Sequence, residues 1–260
     1  MITIHMWDKI PGLCEQEPVL EYFPAENKKT NATCIIFPGG GYAARARHEG
    51  RGYAQFLNRI GMDAFVCQYR CAPHKFPLPL LDARRAVRYV RSHAEEYGIN
   101  PEKVAVMGSS AGGHLAAMIS TYRDPIDFED IDDIDKRSPI PNATILCYPV
   151  CHKPDELNIA HVGSFYNLLG QDANFEKYSP DLLVSGSTPP AFIWHNSDDD
   201  AVDVRNSYLY ASALRVNNIN HEIHVFPKGG HGLGLAYNDP HVAQWSGLLK
   251  NWFTYMSWLE

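Results

Sequence analysis

The sequence predicts an α/β fold: a mainly parallel central sheet with helices on both faces. Short apolar runs alternate along the chain with segments whose apolar residues recur at helical spacing. This alternation is typical of parallel sheets, in which a helix joins one strand to the next. Hydrophobic residues make up 45% of the 260 residues, which is enough for a sizeable core.

Six apolar runs are the predicted parallel strands, and each has the length of a buried strand. Two earlier segments, 2–7 and 18–23, are predicted to add an antiparallel edge. In the first of them, Ile2, Ile4 and Met6 alternate with other residues, as they would in a strand. The six runs are 33–38, 63–69, 103–108, 144–148, 191–195 and 222–226.

Two helices are clearest, one over residues 80–97 and one at the C-terminus. Each places its apolar residues on one stripe, which indicates core packing. Four arginines lie off the first stripe, and we interpret them as a solvated face. The first stripe consists of Leu80, Ala83, Val87, Val90, Ala94 and Tyr97, and the arginines are Arg84, Arg85, Arg88 and Arg91. The second stripe consists of Val242, Trp245, Leu249, Trp252, Met256 and Leu259.

The chain shows no internal repeat and no low-complexity linker, so we expect one domain over residues 1–260. The stretch 151–190 lacks strong periodicity and is expected to form a small cap or irregular wall over a site. A short helix is expected there, around 164–169. The acidic stretch 124–135 lacks the spacing of a calcium loop, and we interpret it as a solvated excursion.

Charge and hydropathy exclude several classes of protein. The 23 basic and 30 acidic residues give a net charge of −7 with His counted neutral, whereas nucleic-acid binders usually carry a basic excess. We see no signal peptide and no apolar run long enough to span a bilayer. We therefore expect a soluble cytoplasmic protein with neither a nucleic-acid nor a membrane partner.

The cysteines are expected to be buried free thiols rather than disulfides, because the domain is large and shows no secretion signal. Their spacings are not of the C-x-x-C type, so no zinc site is predicted. The six are Cys14, Cys34, Cys67, Cys71, Cys147 and Cys151.

The motif with the clearest chemistry is G-S-S-A-G at residues 108–112. It follows a predicted buried strand and begins a helix, where a nucleophile on a sharp turn would lie. Its two glycines leave room for the bend, and Ser110 is the predicted nucleophile. The N–H of Ala111 is predicted to face a developing oxyanion. Ser109 is the competing hydroxyl, but it stands one place early in the motif.

A second glycine-rich motif, P-G-G-G-Y at 38–42, follows the first predicted core strand. Consecutive glycines let the backbone approach a ligand closely and turn its N–H groups inward. Gly40 and Gly41 are therefore predicted as further donors to the oxyanion. The frames of phosphate-binding loops, G-x-x-x-x-G-K-[ST] and G-x-G-x-x-G, are absent here.

The base and the orienting acid are expected late in the chain, in the order Ser, Asp, His. His231 lies in a glycine-rich loop after the last predicted strand and is the candidate base. Asp198, Asp199 and Asp200 all follow the strand before it, and the pattern alone does not choose among them. His195, at the end of that strand, is a candidate pocket residue.

Together these motifs resemble the α/β-hydrolase esterases, from about Cys34 onward. The nearest likeness is to the bacterial carbohydrate-esterase and acetyl-esterase branch, which is related to the hormone-sensitive-lipase-like group. P-G-G-G matches the family's H-G-G-G, with Pro38 in place of His, and residues 69–73 match its Y-R-x-A-P turn. Leu81-Asp82-Ala83 and the run from Gly108 to Ala116 match as well.

The resemblance also assigns the acid. The family's H-G-x-x-D-x-x-V-P motif, aligned on His195 and Val202, puts Asp199 in the acid position. Asn196 stands where the family has Gly, and Asp203 where it has Pro. The family's terminal H-G matches His231 and the glycine after it.

The resemblance implies an α/β-hydrolase fold and hydrolysis of a carboxylic ester without a metal or cofactor. The implied substrate is a small-molecule ester, an acetylated sugar or xylo-oligosaccharide. Tyr42, Trp194 and His195 are the predicted substrate-binding residues, with Phe165 and Tyr166 as further candidate walls. Three alternatives stay open: a kynurenine-formamidase-like amidase, a serine peptidase, and an inactive hydrolase fold that acts as a binding module.

Overall fold

The computed structural model describes residues 1–12, 15–128 and 131–259. Eight strands form one sheet at its centre. They are β1 (Ile2–His5), β2 (Val19–Phe23), β3 (Thr33–Phe37), β4 (Asp63–Gln68), β5 (Val104–Ser109), β6 (Ala143–Cys147), β7 (Ala191–Asn196) and β8 (His221–Phe226). Their order across the sheet is β1-β2-β4-β3-β5-β6-β7-β8.

The pairing of the strands confirms the predicted mixed sheet. β1 pairs antiparallel with β2, with Ile2 opposite Tyr22, and β2 pairs antiparallel with β4. All other neighbouring pairs, from β4–β3 to β7–β8, are parallel. The carboxyl ends of the six parallel strands therefore meet at one edge of the sheet, where ligand sites of open α/β sheets lie.

Helices cover both faces of the sheet. Alternate residues of β3 enter different cores: Ile35 and Phe37 pack with α2, α3 and α5, and Cys34 and Ile36 pack with α1 and α6. No helix in the described ranges is long and apolar enough to cross a bilayer. The helices are α1 (Arg47–Arg59), α2 (Leu78–Ser92), α3 (Ser110–Thr121), α4 (Val162–Leu169), α5 (Arg205–Val216) and α6 (Gln244–Tyr255).

The arginine face of α2 differs from the prediction. Arg84, Arg85 and Arg88 are buried rather than solvated. The acidic stretch folds back over them, and the Arg85 guanidinium donates to Asp132 at 2.6 Å and to Asp135 at 3.0 Å. The interpretation of that stretch as a solvated excursion is therefore wrong for its last residues; positions 129 and 130 lie outside the described residues.

The cysteine prediction is confirmed within the described residues. All five cysteines found there are buried and free, and the sixth, Cys14, lies outside the described ranges. The burial of the C-terminal helix is confirmed too, since Val242, Trp245 and Leu249 have no exposed surface.

A buried ion pair shapes the turn after β4. Arg70 and Asp82 have no exposed side-chain surface. The guanidinium donates to both carboxylate oxygens, from Nη2 at 2.7 Å and from Nε at 2.9 Å, and the backbone N–H of Arg70 adds a bond of 2.9 Å. The same turn supports the glycine-rich loop, because Tyr69 donates to Pro38 O at 2.6 Å and the N–H of Ala72 to Tyr42 O at 2.7 Å.

We expect Asp82→Asn to lower the free energy of unfolding by about 3 kcal/mol, because it removes the carboxylate charge with which the buried Arg70 guanidinium pairs. Urea denaturation followed by circular dichroism measures the change. The matched control is Lys136→Gln, which removes a fully exposed ion pair with Asp133 and should leave the unfolding midpoint unchanged. A wild-type midpoint for Asp82→Asn would contradict this account.

Candidate active site

Ser110 lies at a sharp strand-to-helix turn, as the motif predicts. It is the first residue of α3, directly after β5, and has the left-handed φ of 53°. A Cβ added to Gly108 would meet Gly112 O at 2.0 Å, and one added to Gly112 would meet Phe37 O at 2.0 Å. Only glycine fits at either position, because the helix backbone approaches both its own strand and the end of β3.

Ser110, His231 and Asp199 form one chain of hydrogen bonds. His231 Nε2 lies 2.9 Å from Ser110 Oγ, and His231 Nδ1 lies 2.6 Å from Asp199 Oδ2. Because a carboxylate only accepts, Nδ1 carries the proton and Nε2 presents its lone pair to the hydroxyl. The loops after β5, β7 and β8 supply these three side chains.

The three neighbouring aspartates have different exposure and different hydrogen-bond partners. Asp198 is exposed and its Oδ1 accepts from the N–H groups of Gly229 and Gly230, at 2.8 and 2.9 Å, so it shapes the loop that carries His231. Asp200 is exposed. Among the three, Asp199 alone reaches the histidine.

Asp199 sits in a set of donors that favours its charged form. Its Oδ1 accepts from the N–H groups of Ala201 and Val202, and its Oδ2 lies 3.2 Å from His195 Nε2. Burial raises the pKa of Asp199, but hydrogen bonds from His195, His231 and Val202 outweigh it and hold the pKa below its usual range. The carboxylate of Asp199 is therefore ionised at neutral pH.

The predicted substrate-binding side chains need correction. Trp194 and His195 have no exposed surface and Tyr42 is 1% exposed, so none of the three side chains faces a ligand. Trp194 stacks on Trp245 in the core, with ring centroids 4.9 Å apart. His195 donates through Nε2 to Val202 O at 2.9 Å and towards Asp199, which makes it a support of the acid. The candidate wall Phe165 is buried as well, whereas Tyr166 is exposed.

The glycine-rich loop packs against Ser110, and two of its N–H groups have no acceptor among the described residues. A Cβ on Gly39 would lie 3.1 Å from Ser110 Cβ, and the N–H of Gly39 points inward to Glu49. Gly40 and Gly41 have positive φ values, of 129° and 64°. Their N–H groups donate to no other residue in the described part of the chain. The N–H of Ala111, in the first turn of α3, has no partner within the helix either.

Sequence reasoning missed residues of the 151–190 stretch that lie beside this loop. Asn167, on α4, donates to Gly41 O at 2.8 Å. His161, at the start of α4, accepts the N–H of Ser164 through Nδ1, and its Cε1 lies 3.9 Å from a Cβ placed on Gly41. Burial lowers the pKa of His161, and repulsion from His231 lowers it further. No local pattern marks one histidine among twelve as a neighbour of the site.

His114, which lies inside α3, links the glycine-rich loop to the same stretch. Its Nε2 donates to Tyr178 O at 2.9 Å, so Nδ1 accepts from the Tyr42 hydroxyl at 2.8 Å. Burial lowers the pKa of His114 to about 4, although the bond to Tyr178 opposes this. Among the described residues, no group of three or more His, Cys, Asp or Glu side chains could hold a metal ion.

Comparison with known proteins identifies the family. The model of the BD-FAE family matches residues 21–214, so the chain belongs to that family. It is 39% identical over 225 residues to endo-1,4-beta-xylanase B of Butyrivibrio fibrisolvens, and this match covers 82% of this chain and 34% of that protein. It is 34% identical over 241 residues to an acetylxylan esterase of Xylanibacter ruminicola, covering 88% and 47%. The chain thus spans about a third to a half of these curated relatives.

A solved structure agrees over the full chain. The acetyl ester-xyloside bifunctional hydrolase of Caldicellulosiruptor lactoaceticus is 39% identical, with a TM-score of 0.92, and the match covers 100% of this chain and 97% of that one. The fold is therefore the α/β-hydrolase fold, and the resemblance read from the motifs is confirmed.

We expect Asp199→Asn to lower kcat by about 10⁴-fold, because the amide no longer holds His231 in the tautomer that accepts the Ser110 proton. Hydrolysis of 4-nitrophenyl acetate measures this. Asp200→Asn is the matched control, an exposed neighbour of the same type that should keep the wild-type rate. Equal losses in the two variants would contradict the assignment of Asp199.

The low pKa of His114 predicts loss of stability in mild acid. The unfolded chain binds a proton at this histidine near pH 6.5, whereas the folded chain does so only near pH 4. Unfolding is therefore favoured as the pH falls from 6.5 to 4, and the contribution is constant below that. Between pH 7.5 and 4.5 the wild type should lose about 2 kcal/mol more free energy of unfolding than His114→Gln. Urea denaturation at the two pH values measures these free energies. Equal losses in the wild type and in His114→Gln would refute the prediction.

Proposed function

We propose that the chain hydrolyses carboxylic esters through an acyl-enzyme on Ser110. The observation that carries the proposal is the hydrogen-bonded series Ser110–His231–Asp199, with distances of 2.9 and 2.6 Å. It lies beside a loop with two N–H groups that have no acceptor in the described part of the chain. A nucleophile, a base with the correct tautomer and an orienting anion are the parts that acyl transfer needs.

The first half-reaction forms the acyl-enzyme. Ser110 Oγ attacks the acyl carbon while His231 Nε2 takes the hydroxyl proton. The carbonyl oxygen becomes an oxyanion, which the N–H groups of Gly40, Gly41 and Ala111 stabilise. The ionised Asp199 stabilises the imidazolium. His231 then passes the proton to the leaving alcohol as the bond from the acyl carbon to that oxygen breaks.

The second half-reaction restores the enzyme. Water enters where the alcohol left, and His231 takes one of its protons as the oxygen attacks the acyl carbon. The same N–H groups stabilise the second oxyanion, and the bond to Ser110 Oγ breaks as His231 returns the proton to it. The products are the free acid and the unchanged serine.

The proposed substrate is a small acyl ester, an acetyl group on a sugar or xylo-oligosaccharide. The names of two relatives support this: one is an acetylxylan esterase, and the other is an acetyl ester-xyloside bifunctional hydrolase.

We further propose that residues 1–260 act as one domain, in the cytoplasm, and that the stretch 151–190 forms a wall of the site. The contacts of Asn167 with Gly41 and of His114 with Tyr178 support that wall.

A panel of three substrates tests the reaction class: 4-nitrophenyl acetate, acetylated xylo-oligosaccharides and an aryl formamide. Turnover of the two acetyl esters should exceed that of the formamide. A formamide preference would replace the proposal with an amidase of the kynurenine-formamidase type. No turnover of any of the three would indicate a binding module.

We expect Ser110→Ala to lower kcat by at least about 10⁵-fold in a folded protein, because no other group forms the acyl-enzyme. A fluorophosphonate probe should label the wild type and fail to label this variant. Ser109→Ala is the matched control and should still be labelled, since Ser109 is buried and bonded to Tyr53. Labelling of Ser110→Ala would overturn the assignment.

A further inference from the structure

Glu49 is a buried carboxylate that the proposed mechanism does not use. It lies in the first turn of α1 and is 2% exposed. Its Oε2 accepts the N–H of Gly39 at 2.7 Å, and its Oε1 accepts the hydroxyl of Tyr148 at 2.8 Å. Among the described residues no lysine or arginine forms an ion pair with it, and the exposed His48 lies 3.9 Å away. Hydrogen bonds, rather than a buried counter-ion, therefore hold this carboxylate in place.

Tyr148 connects Glu49 to the loop that carries the candidate base. It follows β6 directly, has a φ of 38°, and its hydroxyl accepts the N–H of Gly234 at 3.0 Å. Its ring also meets the ring of His231 edge to face, with centroids 5.0 Å apart. One side chain thus fixes both the backbone of the loop and a face of the imidazole.

Tyr53 extends the same network to the nucleophile turn. Its hydroxyl lies 3.2 Å from that of Tyr148 and 2.9 Å from Ser109 Oγ. A carboxylate accepts and does not donate, so the single proton of Tyr148 goes to Glu49. Tyr53 must then donate to Tyr148, and Ser109 to Tyr53. In this series of hydrogen bonds, each hydroxyl donates its proton in the direction of Glu49, and each has a hydrogen-bond partner.

We propose that Glu49 is a positioning residue for catalysis, which holds the glycine-rich loop through Gly39 and the histidine loop through Tyr148. The proposal rests on the function proposed above. Glu49 touches neither substrate nor Ser110 Oγ; it acts through the two loops it joins. Glu49 accepts the N–H of Gly39, whereas the N–H groups of Gly40 and Gly41 have no acceptor among the described residues.

A carboxylate suits this position better than an amide. Both of its oxygens accept, so it binds the Gly39 N–H and the Tyr148 hydroxyl together with strong charge-assisted bonds. In Glu49→Gln, the amide oxygen can accept from only one of these donors, and the NH₂ group faces the other. One loop then loses its anchor, and small displacements of catalytic groups are costly in rate.

The decisive experiment measures kcat and KM of Glu49→Gln with 4-nitrophenyl acetate. We expect kcat to fall by about 10- to 100-fold. KM should stay within about threefold of the wild type, since Glu49 positions groups that stabilise the transition state and does not contribute to binding of the substrate in the ground state. A merely structural role would lower the unfolding midpoint and leave kcat of the folded fraction unchanged.

Asp63→Asn is the matched control. Asp63 is 1% exposed, accepts a backbone N–H from Ala25 at 2.8 Å and the hydroxyl of Tyr22 at 3.0 Å, and also pairs with Lys28. It begins β4, at the end of the sheet opposite Ser110. This variant disturbs the same kind of buried carboxylate, so we expect a lower unfolding midpoint with wild-type kcat.

Tyr148→Phe tests the link independently, and it carries the test if Glu49→Gln does not fold. It should lower kcat by about 10-fold, and in the double variant the two losses should be less than multiplicative, because both remove one network. Wild-type kcat in folded Glu49→Gln or in Tyr148→Phe would overturn the positioning role while leaving the esterase proposal intact. An inactive wild type would overturn both proposals.

Discussion

The close approach of the α3 backbone to the end of β3 is the constraint on which the site depends. A methyl group at Gly112 would come within 2.0 Å of Phe37 O, so the two segments touch through backbone alone. This contact brings the turn at Ser110, where the serine has a left-handed φ of 53°, against the glycine-rich loop. The proposed oxyanion donors and the proposed nucleophile are thereby placed together before any substrate binds, which is what electrostatic preorganisation requires.

The order of the parallel strands gathers everything else. β3 and β5 are neighbours, so their following loops supply the glycines and Ser110 side by side. β7 and β8 are neighbours too, and their loops supply Asp199 and His231. β6 lies between these two pairs. Tyr148 at its end donates to Glu49, which accepts the N–H of Gly39, and accepts the N–H of Gly234 in the loop of His231. These residues are far apart in the sequence, but they lie close together because the strands that precede them end side by side at one edge of the sheet.

Buried polar groups then hold these loops in a defined geometry. The pair of Arg70 and Asp82 supports the turn behind the glycine-rich loop, and Glu49 anchors that loop from below. Asn167 holds it from the 151–190 stretch. Each of these groups has its hydrogen bonds satisfied, since an unpaired buried charge would cost more stability than the contact provides. These contacts hold the loop in place, while the N–H groups of Gly40 and Gly41 keep no acceptor among the described residues.

The sequence by itself determined the strands, the turn at Ser110 and the loop around His231, because strand patterns and glycine-bounded turns are local properties of the chain. The residue pattern alone left Asp198, Asp199 and Asp200 open, and the family resemblance favoured Asp199. The tertiary structure supplies the physical reason, since the three adjacent carboxylates differ in direction and not in type. It alone placed Trp194 and His195 in the core and buried the arginines of α2. Helical and strand periodicity tells which side of an element faces the sheet, but what covers the other side depends on distant segments folding over it.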